Sequence, residues 1–211
     1  MRNTFFAFVV VAAFAGLRAF AGDDTAPATR IILFAGLKGC YFSSDYYTAD
    51  RIAENFGVAT DATDEFINRE FYNAFADAAV KQSLRLSACD DAAARLVAGL
   101  RYDYDGDVLY SNLSEIDEEE YRRVMQDAQA AYLLVIDQYY IKKEVYPYDS
   151  FTHMFHYSVY DASKARVYDG HYRFVAFDLG TLPLLQKQIR KAADKCLRSI
   201  GASDGQKRAY F

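Results

Sequence analysis

Tryptophan is missing from the 211 residues, and cysteine, methionine, proline and histidine occur only three times each. Three cysteines cannot staple a chain of this length, so a disulfide scaffold is excluded. Cys40, Cys89 and Cys196 allow three alternative single pairings, and nothing in the sequence chooses among them. No Gly-x-Ser-x-Gly elbow, phosphate loop or dinucleotide fingerprint occurs, so no cofactor is expected. Positive charge is also short. The formal charge is −5, and it falls to −7 without the two arginines of residues 1–21. An acidic chain of this kind is a poor partner for nucleic acid or anionic lipid.

Long apolar runs are lacking except at the start. Arg2 precedes Phe5 to Gly16 (FFAFVVVAAFAG), and Ala19 and Ala21 put small side chains where a signal peptidase needs them. The run is too short to span a bilayer before Arg18 interrupts it. Residues 1–21 therefore read as a cleaved signal peptide, with an uncut anchor as the alternative. Gly22 stands where a lipid-modified cysteine would be required, and Leu37-Lys38-Gly39-Cys40 lies too far in to serve. The expected mature chain is periplasmic or secreted, with no transmembrane helix.

Periodicity then divides the chain. Residues 22–29 are a polar leader, and Arg30 to Phe34 reads as a short buried strand. Phe66, Ile67, Phe71, Ala74, Phe75 and Ala78 share one face of a helix over 64–84, with Thr63 as its N-cap. Leu84 to Leu86 is a brief strand, and a short helix follows over 90–100. Residues 101–113 form a loop or small hairpin. Ser114 and Asp117 approximate a capping box for a helix to about residue 129. Tyr132 to Val145, Met154 to Tyr160 and Val167 to Phe177 read as strands, the last two joined by a tight turn over 161–165. Leu182 to Ile200 is the clearest helix, with Pro183 in its first turn and Gly201 after its end. This order predicts one α/β (α+β) domain over 30–211, a two-layer sandwich of a mixed sheet of about four strands with amphipathic helices packed on it. Residues 87–127 are its insertion.

The candidate chemistry is thin. Asp103, Asp105, Asp107 and Glu115 suggest a calcium loop, but Gly106 falls in the wrong place, and a solvated turn explains them better. His153 and His156, three apart on a strand, point to opposite faces. His156 and His171 face each other only if the turn centres on Ser163 and Lys164. Two histidines without a third ligand make no complete zinc site, so no metal site is assigned. Cys196 falls on an apolar helix face and reads as an inert buried thiol. Asn112-Leu113-Ser114 is a glycosylation sequon, relevant only in a eukaryote. Aromatics remain, with 18 Tyr and 16 Phe. Tyr139, Tyr140, Tyr146, Tyr148 and Phe151 crowd one strand and the following loop, and Tyr102, Tyr104 and Tyr110 decorate the acidic segment. Sheet-edge cover is the plainer explanation. A contact surface for a protein or glycan is the functional one.

The second half resembles a known module. Ala130 to Ile136 (AAYLLVI), Tyr157 to Val167 (YSVYDASKARV) and the long final helix are similar to the periplasmic α/β domain of the curli-secretion-channel type. Penicillin-binding-protein activator lipoproteins and the amino-terminal domain of TolB share that domain in outline. The resemblance covers roughly residues 30–86 and 128–200. It implies a non-enzymatic accessory role in the cell envelope through contacts with an envelope protein, and it transfers no site residues. Two other functions stand beside it: a glycan- or surface-matrix-binding protein using the tyrosines, and a hydrolase using Cys40 or His171.

Overall fold

The computed structural model describes residues 30–37, 41–42, 49–88, 91–106, 108–145, 147–148, 150–177 and 181–208. The signal segment, Cys40, Cys89, Asp107 and Tyr146 lie outside them.

The mixed α/β architecture is as expected, with a larger sheet. Strands β1 (Arg30–Ala35), β2 (Tyr41–Phe42), β3 (Leu84–Ala88), β6 (Ala130–Glu144), β7 (Ser150–Asp161) and β8 (Arg166–Ala176) make one sheet. The order is β3-β1-β6-β7-β8, and β2 pairs with the far end of β6. β1 runs parallel to both β3 and β6, whereas β6, β7 and β8 form an antiparallel meander. A separate hairpin, β4 (Arg101–Asp105) and β5 (Val108–Asn112), forms the segment whose sequence suits a loop or small hairpin.

Helices α2 (Thr63–Lys81) and α5 (Leu182–Arg208) pack on one face. Their apolar stripes meet Ile32, Phe34, Leu134, Ile136, Phe155 and Tyr157 in the larger core. Lys81 with Asp194 and Gln186 with Glu70 tie the two helices at their rims. The opposite face carries a second core. There Leu33, Ala35, Leu133, Val135 and Tyr160 meet α3 (Asp91–Ala98) and α4 (Glu118–Asp127). The stretch 87–127 thus covers the second side of β1 and β6, which explains why those strands read as continuous apolar runs.

Local details differ from expectation. Helix α1 (Ala49–Phe56) was not anticipated; Ala53 and Phe56 bury its face. Thr63 does not cap α2; it is the first helical residue, and its hydroxyl donates back to the Ala59 carbonyl. Helix α4 begins at Glu118, and the Asp117 carboxylate caps it by accepting from the Glu120 amide at 2.8 Å. Helix α5 runs through Gly201 to Arg208, a glycine in a helix interior costing only about 1 kcal/mol.

Candidate functional site

Strand β6 contains the feature that organises the polar groups. Its pairing with β7 slips between Ile136 and Gln138, so Asp137 is an extra, bulged residue. Before the bulge the even residues Leu134 and Ile136 face the α2–α5 core; after it the odd residues Tyr139 and Ile141 do. Asp137 and Gln138 are instead spent on the β4–β5 hairpin. Gln138 Oε1 accepts from the Leu109 amide at 3.0 Å, and Asp137 Oδ1 accepts from the Ser111 amide at 3.1 Å. Two buried side chains therefore dock β5 on β6, with which it shares no backbone ladder among the described residues.

Asp137 Oδ2 accepts twice more, from Ser158 Oγ at 2.6 Å and from His156 Nδ1 at 2.8 Å. A carboxylate only accepts, so the hydrogen of the histidine contact sits on Nδ1. All three residues are buried. Aspartate, histidine and serine here do not form a nucleophilic triad. In a triad the imidazole bridges the other two, and takes the serine proton. Here the carboxylate is the bridge, and the Ser158 proton points at Asp137. His156 Nε2 lies 3.9 Å from Asp169 Oδ2, and the ring is met edge-on by Tyr110 at 4.5 Å.

Beyond Ser111 the network reaches a surface groove. The Tyr160 hydroxyl donates to the Ser111 carbonyl and lies 3.0 Å from Ser111 Oγ. Burial raises the Tyr160 pKa above its ordinary value. The groove is lined by Asp103, Ser111, Ser114, Tyr160, Lys164 and Arg166. Its cations are engaged: Lys164 Nζ donates to the Ile116 carbonyl, and the Arg166 guanidinium stacks over Tyr110 at 5.4 Å. Lys164 holds a left-handed backbone, φ 65°, in the turn closed by Asp161.

The turn itself centres on Ser163, pairing Tyr160 with Arg166, and the bulge at Val167 then shifts the register so that His156 stands directly opposite His171. His156 is buried and His171 exposed. His153 faces the other side, hydrogen-bonded to the Tyr139 hydroxyl at 2.9 Å and stacked on Phe174. The acidic segment is consumed by the hairpin. Glu115 pairs with Arg101, Asp103 accepts from Asn112 Nδ2 at 2.7 Å, and Gly106 (φ 61°) makes the turn. Among the described residues, no group of three His, Cys, Asp or Glu side chains is placed to hold a metal ion. Cys196 is buried beside Tyr157, and burial pushes its thiol well above the usual range.

The tyrosine cluster needs correction as a contact surface. Tyr139 and Phe151 are core residues, Tyr140 is half-buried and Tyr148 is exposed, while Tyr146 lies outside the described residues. The bulge explains Tyr139, because it turns that ring onto Phe71. Phe151 is buried because β7 begins at Ser150, earlier than its sequence suggests. Sequence pattern missed the surface that Tyr148 does belong to. At the β6–β7 turn and the end of β8, Val145 (66%), Tyr148 (73%), Val175 (55%) and Phe177 (81%) are exposed. Pairing of Glu144 with Ser150 and of Phe151 with Ala176 brings all four to one end of the sheet. This apolar rim is the candidate functional site.

No family model matches the sequence. No curated protein matches it either. Several solved structures do align. The hypothetical protein CT253 from Chlamydia trachomatis aligns over 83% of this chain and 95% of its own, with 12% identity and a TM-score of 0.45. The PelC dodecamer from Paraburkholderia phytofirmans aligns over 79% and 87%, with 8% identity and a TM-score of 0.40. A minor lipoprotein from Acinetobacter baumannii aligns over 83% and 92%, with 9% identity and a TM-score of 0.36.

Proposed function

We propose that the chain is an exported accessory module of a bacterial cell envelope that works by protein–protein contact through the rim of Val145, Tyr148, Val175 and Phe177. The rim is the observation that carries this reading. Apolar side chains exposed together at one end of a sheet lose nothing by being covered, and such patches on folded chains mark contact sites. Tyr148 supplies the amphipathic ring that interface cores favour. The sequence of residues 1–21 supports the address. No helix among the described residues is long and apolar enough to cross a membrane.

The experiment compares partners of the wild-type full chain with those of Tyr148→Ser/Phe177→Ser, both isolated from the envelope fraction after mild cross-linking. Both side chains are exposed, so the variant keeps its fold, checked by circular dichroism and Tm. Loss of the co-isolated envelope protein supports the reading. Its retention by the folded variant contradicts it, as does robust turnover of a small substrate by the purified chain.

A further inference from the structure

Strand β8 forms an edge of the sheet, and only β7 pairs with it among the described residues. It is 11 residues long and contains neither proline nor lysine, two devices by which edge strands discourage further pairing. Its charged and aromatic residues are placed symmetrically about His171. Moving outward from that residue, Gly170 corresponds to Tyr172, Asp169 to Arg173, and Tyr168 to Phe174.

The geometry points to a second copy of this chain as the occupant of that edge, the two β8 strands pairing antiparallel across a two-fold axis at His171. Directly opposed residues of an antiparallel pair share a face. On the open face Asp169 then meets Arg173 of the other copy, twice by symmetry. On the α5 face Tyr168 meets Phe174, and Tyr172 stands opposite Gly170, which Tyr157 of its own chain already covers. Gly170 cannot carry a side chain of its own, because an added Cβ would lie 2.7 Å from the Tyr157 hydroxyl. The register is specific. Moving the axis to residue 170 sets Asp169 against His171, and moving it to 172 sets Arg173 against His171; only the axis at 171 pairs the two opposite charges. The ladder runs from Tyr168 to Phe174, because β8 bulges at Val167. Both charged side chains are about half exposed, at 48% for Asp169 and 54% for Arg173, and can reach a partner. This inference stands independently of the rim.

The test is a charge swap followed by sedimentation equilibrium of the full chain at pH 8 and low salt. Wild type is expected to dimerise. Asp169→Arg or Arg173→Asp alone opposes like charges twice and should weaken the dimer by about tenfold or more. The double variant Asp169→Arg/Arg173→Asp restores both pairs and should return to within about threefold of wild type. The swap does not restore the contacts of Arg173 with Glu144 or of Asp169 with His156 within one chain, so rescue reports the intermolecular pair. Hydrogen exchange of wild type supplies a second readout, with amides 168–174 slowing as concentration rises. A monomeric wild type, single variants that dimerise normally, a double variant without rescue, or concentration-independent exchange each overturns the proposal.

Discussion

Replacing Asp137 by alanine tests how the hairpin is held. The substitution leaves the Ser111 amide, the Ser158 hydroxyl and the His156 Nδ1–H without their acceptor, all in a buried setting. Each stranded donor costs about 1–3 kcal/mol. Removing the buried carboxylate returns part of this, because its own desolvation is no longer incurred. The net loss is about 3–5 kcal/mol, in the range found when one partner of a buried charged network is deleted. With a urea slope of about 2 kcal/mol per molar, the midpoint should fall by roughly 2 M. Asp137→Asn keeps one carbonyl oxygen for the Ser111 amide but turns an N–H toward the other two donors, and should lose about half as much. Urea unfolding by circular dichroism measures both variants, and hydrogen exchange at Ser111 reports the hairpin. Unfolding of Asp137→Ala within about 0.5 kcal/mol of wild type, with the Ser111 amide unchanged, would refute the anchoring role.

Gly170→Ala drives a methyl group against the Tyr157 hydroxyl and ring, at 2.7 and 2.9 Å, and should lower Tm by several degrees; an unchanged Tm contradicts that close packing. Cys196 should resist alkylation in the native protein and react only with unfolding; modification at the rate of a free thiol would contradict its burial. Burial raises the pKa values of Tyr121, Tyr157 and Tyr160 above the ordinary 10.0. Their neutral forms therefore stabilise the fold fully below pH 10.0, and that contribution is lost as pH rises through the folded values. Absorbance at alkaline pH should show a late group of tyrosines ionising together with loss of circular dichroism. Smooth titration of every tyrosine with the fold intact would be the contrary result.

Element order was legible because it rests on local signals. The stripe from Phe66 to Ala78, the turn at Asp161 and the apolar run of α5 each declare themselves within a few residues. The bulge at Asp137 was not legible, since one extra residue changes no local pattern yet exchanges the faces of everything after it. Tyr139 therefore looked like surface and is core. The network joining Asp137 to Ser111 spans 26 residues of separation and follows from the docking of β5, which no short pattern encodes. The rim was half legible. Tyr148 stood out as an aromatic in a loop, but Val175 and Phe177 join it only because β8 returns alongside β7.

A photo-cross-linking amino acid at position 177 tests in living cells the proposed contact of the rim with another envelope protein. A control at position 80 uses Val80, an isolated exposed apolar residue on α2. A discrete adduct is expected from position 177, abolished by Tyr148→Ser, and none from position 80. No adduct from 177, or the same adduct from both positions, would contradict it.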